Sequence, residues 1–300
     1  MDDSAVLDFP PGRLALTTDC YVVDPIIFPG GDIGKLAVNG TVNDLSVQGA
    51  QPLFLSAGFI LEEGFELADL EGILASMAIA AKEAGVSIVA GDTKVVPKGK
   101  GDKIYINTTG VGLVQDDVDV SGRNARVRDS VILSGPIGDH GIAVLSHREG
   151  LAFGTNLESD SAPLNQLVSD ILSVTKGIHA MRDPTRGGLA ASLNEIAAAS
   201  RVGIVISEAA ILVREGVRSA CEILGLDPLY IANEGRLVVF VRPDFASEVR
   251  DRMRQNRHGR EAEIIGEVFA DHPGRVVMKT KAGGTRIIDM PLGEQLPRIC

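Results

Sequence analysis

Cys300 ends the sequence and is one of three cysteines, with Cys20 and Cys221. It follows Pro297, Arg298 and Ile299, and the approach from Asp289 carries Pro291 and Gly293. Proline removes a backbone donor and disfavours helix in the residue before it. Residues 289–300 are therefore expected to be extended and poorly anchored, able to reach roughly 40 Å at about 3.3 Å per residue. A thiol on such an arm suits a carrier of a covalently attached group. A frayed terminus that happens to end in cysteine fits the tail alone equally well.

Four aspartates form the second chemical feature. Asp19 and Asp92 are expected after strands, Asp44 follows Asn43, and Asp183 sits in RDPTRGG (182–188). Carboxylates at strand ends can converge from distant parts of a chain. Hard cations such as Mg²⁺ favour such oxygens and share them with nucleotide phosphates. Taken singly, each aspartate also suits a turn or a helix cap. Lys94, two residues after Asp92, offers an ammonium for a transferring phosphate or, with a lowered pKa, a proton acceptor. Glu234 in ANEG (232–235) offers a general base or a loop carboxylate. His140 in GDHG (138–141) lies near an expected helix start, where backbone donors can bind phosphate. Lys35 closes Gly30-Gly-Asp-Ile-Gly-Lys, but this is no Walker A loop. Only three residues separate Gly30 from Gly34, and Leu36 stands where Ser or Thr is required. A glycine turn into a helix accounts for it.

These side chains need an alternating scaffold to hold them. Strands are predicted over 13–18, 53–61, 86–90 and 103–114, and helices over 33–48 and 66–84, the latter stopping at Gly85. Residues 115–128 read as a polar connector. Beyond it, strands fit 130–135, 203–207, 237–242, 263–268 and 275–280. Helices fit 161–175, 187–200, 208–224 and 244–257, with another at GDHG. The pattern predicts an α+β, mixed α/β fold of sheets covered by helices. The divisions fall at 1–120, 121–288 and the tail 289–300.

Three hundred residues with 45% hydrophobic and only 4% aromatic content imply aliphatic cores. A net charge of −11 argues against a nucleic-acid surface. An odd cysteine count without C-x-x-C argues against a disulfide framework and predicts a reducing, cytoplasmic compartment. The first residues lack a signal peptide's basic region, and no run of about 18 apolar residues suggests a membrane span.

The motifs TTDCYVVDP (17–25), FPGGDIGKLA (28–37), GTVNDLSVQGA (40–50), GFILEEG (58–64), AGDTKVV (90–96), GDHG, RDPTRGG, ANEG and PRIC (297–300) together resemble the HypE family of hydrogenase-maturation carbamoyl dehydratases. The resemblance covers essentially the whole chain, and PRIC with GDTKVV is its most specific part. It implies kinship with the aminoimidazole ribonucleotide and selenophosphate synthetases. It also implies an N-terminal sheet that forms a β-barrel across a homodimer, and a C-terminal α/β domain. The implied activity is ATP-dependent dehydration of an S-carbamoyl group on Cys300 to a thiocyanate. The implied partners are the carbamoyl donor HypF and the HypC–HypD iron scaffold, in assembly of the NiFe hydrogenase centre. Carried over by motif, Cys300 is the carrier, and Glu234 and Lys94 serve proton transfer. Asp19, Lys35, Asn43, Asp44, Asp92, Thr93 and His140 become ATP-site candidates, and Asp19, Asp44, Asp92 and Asp183 become Mg²⁺ candidates.

Family members ordinarily begin with a longer segment carrying a glycine-rich HGSGG-like motif, and this sequence starts after it. That predicts impaired ATP binding or turnover, and makes a binding scaffold for maturation partners the alternative reading. A selenophosphate synthetase would instead show a reactive cysteine followed by lysine near its N-terminus, which this sequence lacks.

Overall fold

The order of elements begins with a strand that serves the cleft described below. In the computed structural model, which describes residues 4–151, 157–293 and 296–300, β1 runs over Arg13–Tyr21. Alternate side chains Thr17, Asp19 and Tyr21 turn inward, while Leu14, Leu16, Thr18 and Cys20 turn out, the period-two consequence of a pleated strand. The strand was expected to end before Asp19; it continues to Tyr21, so Asp19 lies within it. The reading of residues 1–3 and the Glu294–Gln295 part of the tail lie outside the described residues.

After the short β2 (Ile27–Phe28) and β3 (Gly31–Asp32) comes α1 (Ile33–Val47). Then follow β4 (Ala50–Glu62), α2 (Leu67–Ala84), β5 (Ser87–Val96) and β6 (Ile104–Val114). The sheet order is β1-β6-β4-β5, antiparallel except for the β4–β5 pair, whose crossover is α2. Gly85 caps α2 in the left-handed conformation, as predicted. Gly40 within α1 has a steric reason: a Cβ there would stand 2.3 Å from the Tyr21 hydroxyl. The glycine lets the helix lie directly on β1.

The second half contains β7 (Ser130–Leu133), α3 (Asp139–Arg148), α4 (Asn165–Leu172), β8 (Ile178–Arg182), α5 (Gly188–Ser200) and β9 (Gly203–Ser207). It continues with α6 (Glu215–Leu224), β10 (Val238–Val241), α7 (Ala246–Gln255), β11 (Glu263–Phe269), β12 (Val276–Lys279) and β13 (Thr285–Ile288). The seven strands order as β13-β12-β9-β11-β7-β10-β8. The mixed α/β fold expected from sequence is therefore present. β8 and β13 were not anticipated. β8 is short and β13 is largely exposed, so neither carries a full alternating pattern. The helix expected over 208–224 divides into a 3-10 turn (Glu208–Ala210) and α6.

One core lies between α1, α2 and the first sheet, with Ile33, Leu36, Leu55, Ile73 and Ile106 buried. Another spans both halves, joining Leu45, Val47 and Val114 to Leu164, Leu167 and Val239. The entry of α1 is fixed by Asp32, whose carboxylate accepts from the backbone N–H of Gly34 (2.7 Å) and Lys35 (2.9 Å) and from the Ser76 hydroxyl (2.6 Å). Asp32→Ala removes that cap and the tie to α2, and is expected to cost about 1–2 kcal/mol in urea unfolding. An unchanged midpoint would show that the cap is dispensable.

Candidate active site

Asp19, Asp44, Asp183 and Glu234 line one cleft of about 530 Å³ together with Cys300, and Glu195, paired with Arg182, lies in the same wall. Asp19 arrives on the inner face of β1. Asp44 stands one helical turn beyond Gly40 on the α1 face that covers β1. The Thr17 hydroxyl donates to its carboxylate at 3.0 Å. Asp183 follows β8 directly. Two residues after it, Thr185 and Arg186 line the same wall, and Gly187 caps α5. Gly188 has φ +62° and sits where a Cβ would meet the Leu229 and Ile231 carbonyl oxygens at 2.6 Å. Only glycine allows the chain here to lie so close to the 3-10 turn and irregular segment leading to Glu234.

The electrostatics follow from crowding. Burial first, then the Asp183 charge and contact with Asp19, push the Asp44 carboxyl up to about 8, against a Thr17 bond that lowers it. Burial and the Asp19 charge raise Asp183, opposed by Arg182. Glu234 is only 2% exposed and is pushed well above the usual range by burial, with Asp183, Asp160 and Asp44 adding to the effect. Among the described residues, its Oε1 has no hydrogen-bond partner. A buried acceptor left bare costs free energy, so the oxygen is suited to a ligand's donor or proton.

The tail enters this cleft. It was expected to be poorly anchored; instead, residues 296–300 are held against the first core, with Ile299 3% exposed. The backbone N–H groups of Val22 and Asp24 donate to the Cys300 and Arg298 carbonyl oxygens at 3.3 and 3.2 Å. These bonds continue the chain direction of β1 and account for the inward position of the thiol. Arg186 donates toward Cys300 Sγ at 3.8 Å.

The remaining candidates divide by position. Asn43 is buried and fully engaged: its amide donates to the Ala162 and Glu234 carbonyl oxygens, and its Oδ1 accepts from Leu164 N–H at 2.8 Å. It holds the Glu234 backbone and does not line the cleft. Lys35 donates to the Gly30 carbonyl oxygen at 2.8 Å and also lies outside it. His140 is fully buried; its Nε2 donates to the Ile299 carbonyl oxygen at 2.8 Å, which makes Nδ1 the acceptor from the Ser159 hydroxyl at 2.8 Å. It holds the tail. Asp92, Thr93 and Lys94 lie within β5, which runs on to Val96, not at a strand end as expected. They are exposed and absent from the cleft wall. Asp92 and Lys94 pair with each other at 2.9 Å, and the hydrogen bond from Lys94 holds the Asp92 carboxyl below its ordinary value.

Sequence reading missed Tyr21, Arg186 and Arg148. Arg186 sits inside RDPTRGG, where attention went to Asp183. Tyr21 and Arg148 act through contacts that no local motif signals.

Among the described residues, no three acidic, histidine or cysteine side chains form a ready-made metal cage. The crowded carboxyls with raised pKa values nevertheless call for positive charge. Mg²⁺ commonly takes one or two carboxylates and fills its shell with water and phosphate oxygens. Of the cleft carboxyls, one or two among Asp19, Asp44 and Asp183 would be its protein ligands. Arg182, Thr185 and Arg186 offer phosphate donors, and a cleft of about 530 Å³ is of ligand size.

A pH dependence follows. Asp44 has a folded pKa above its unfolded value, so the folded state binds the extra proton between about 4 and about 8. In chelator-treated protein, this group's contribution to stability is full at the acidic end and is lost as pH rises through that window. Asp44→Asn is expected to flatten the fall in Tm between those limits. An identical slope in parent and variant would contradict the assignment.

Comparison with known proteins agrees with this architecture. The AIR synthase related protein N-terminal domain matches residues 1–114, and the corresponding C-terminal domain matches residues 126–279. The carbamoyl dehydratase HypE of Azotobacter vinelandii is 54% identical over 299 residues, covering 100% of this chain and 88% of its own. A crystal structure of hydrogenase maturation protein HypE in complex with ATP superposes with a TM-score of 0.96 at 52% identity, over 100% of this chain and 90% of the other. A HypE–HypF complex superposes with a TM-score of 0.90 at 53% identity, over 93% and 90%. With this identity sustained along its whole length, the chain belongs to the HypE carbamoyl dehydratase family, within the AIR synthase related proteins.

Proposed function

We infer that this chain dehydrates a carbamoyl group carried on its own Cys300 to a thiocyanate, using ATP, as a step in hydrogenase maturation. The observation that carries the reading is the inward tail, which sets Cys300 in a cleft shared with the bare buried oxygen of Glu234. Converting S–C(=O)NH₂ to S–C≡N removes one oxygen and both N–H protons. ATP supplies the phosphoryl group with which that oxygen departs as phosphate, and Mg²⁺ screens the charge between phosphates and carboxylates.

The chain's own residues do the rest. Glu234 accepts one proton from the carbamoyl nitrogen, and the second leaves with the departing phosphate as hydrogen phosphate. Glu234 must be ionised to do so, and charge neutralisation among Asp19, Asp44 and Asp183 favours that state. Arg186 orients the sulfur. His140 and the β1 extension hold the tail, and the Tyr21–Thr41 contact at 3.3 Å closes the floor beneath Asp19. The resulting cyano group is destined for the iron of the NiFe hydrogenase centre through a HypC–HypD scaffold. A relative solved as a HypE–HypF complex supports HypF as the carbamoyl donor. No helix among the described residues is long and apolar enough to cross a membrane. A cytoplasmic setting suits chemistry that needs a free thiol.

The working unit is a homodimer. β5 is an edge strand, and the outer face of its sheet exposes Leu14, Leu16 and Ile60. Joining two such sheets into a barrel covers that apolar face and removes the open edge. It also gives Asp92, Thr93 and Lys94 a seam in which to meet nucleotide, with Lys94 stabilising phosphoryl oxygens or relaying a proton. We divide the chain as 1–120 for nucleotide binding and dimerisation, 121–288 for the α/β unit, and 289–300 for the tail.

Two outcomes are expected. Glu234→Gln keeps size and hydrogen bonding but cannot accept the proton. With saturating ATP it should lower thiocyanate formation by about 10²–10⁴, and carbamoylated C-terminal peptide should accumulate in mass spectra. Thiocyanate at the parental rate would remove Glu234 as the base. Val95→Lys, on the open edge, should convert a dimer to a monomer in sedimentation and reduce turnover with it. A dimer persisting at parental affinity would place the interface elsewhere.

A further inference from the structure

Arg148 lies in the last turn of α3, half-buried, outside the cleft wall. Its guanidinium donates to three carbonyl oxygens. Nε reaches Asp24 at 2.6 Å, Nη1 reaches Pro297 at 2.9 Å and Nη2 reaches Arg298 at 2.7 Å. One side chain thus ties the segment after β1 to two consecutive tail peptides. The Arg298 carbonyl oxygen also accepts from Asp24 N–H, and the Arg298 side chain pairs with Asp102 at 2.5 Å. We propose that Arg148 is the latch that sets how the tail divides between its inward, dehydrating position and an outward one. The proposal rests on the carrier reading above.

The chemistry favours this role over general packing. A guanidinium presents a planar fork of donors, which suits three acceptors held in fixed directions; an ammonium is a point donor. The contacts are polar and lie at a half-buried site, so guanidinium and carbonyls can regain water when the tail leaves. Ile299 and His140, by contrast, form the buried seat into which the tail returns. Arg148 touches carbonyls two and three residues before the thiol and none of the reacting atoms. It is a positioning residue, and its removal should move Cys300 without altering the groups around it.

The test uses the full chain with its carbamoyl donor and ATP, in parent, Arg148→Ala and Arg148→Lys. Three rates are measured: iodoacetamide labelling of Cys300, carbamoylation of Cys300, and single-turnover conversion of carbamoylated Cys300 to thiocyanate. Buried Cys221 staying unlabelled reports an intact fold. Loss of three charge-assisted bonds should speed Cys300 labelling by roughly tenfold and slow conversion by a similar factor. Carbamoylation should hold or rise, and lysine should fall between alanine and parent. Parental labelling and conversion in the variants would overturn the latch. So would carbamoylation and conversion falling together with labelling unchanged, the pattern of a merely structural residue. If alanine exposes Cys221, the lysine variant decides by the same criteria. A parent that makes no thiocyanate would sink the functional reading, while the labelling comparison would still decide the latch.

Discussion

Burial of carboxyl groups within reach of one another's charge is the constraint on which the rest of this structure depends. Asp19, Asp44, Asp183 and Glu234 come from a strand, a helix and two loops; burial raises the cost of ionising Asp44, Asp183 and Glu234, and neighbouring carboxylates add to it. A fold gains nothing from such an arrangement by itself, because burying charge without a partner is unfavourable. It is sustained by surrounding order. Gly40 lets α1 lie on β1, Asn43 holds the Glu234 backbone, and the core that joins Leu45 to Leu164 keeps the two halves in register. The strain is relieved when positive charge and phosphate arrive together.

The tail is the complementary part. It places a thiol beside these carboxyls through backbone bonds to the end of β1 and a neutral histidine. Both can form only after the N-terminal sheet and α3 are in place. Dehydration and tail docking are therefore linked to the same packing. A carrier must also leave, and the contacts closest to solvent are polar ones that water can replace.

Much of this was legible in sequence, for identifiable reasons. The helices α1 and α2 and the strands of the first sheet follow from aliphatic periodicity. Asp44, Asp183, Glu234 and Cys300 follow from motifs. The tail's conformation was misjudged because prolines report local backbone preference, whereas its anchoring comes from Val22, His140 and Arg148, more than a hundred residues away. Asp92 and Lys94 lie on the β5 edge, outside the cleft wall, and a local motif such as GDTK does not say which edge of a sheet carries it. β8 escaped because five residues bounded by a functional loop show too short a pattern. In each case the missing information was a long-range contact.

Burial and neighbouring charge hold the Asp44, Asp183 and Glu234 carboxyls above their ordinary range, which favours bound protons that an arriving cation would displace. The most direct measurement is calorimetric titration of the metal-free protein with Mg²⁺–ATP in buffers of different ionisation enthalpy, near neutral pH. Cation binding to protonated carboxyls must expel protons. Net proton release should therefore accompany binding, and should diminish as the pH is raised past about 8, where Asp44 is already ionised. Tight binding with no proton release across this range would contradict the account.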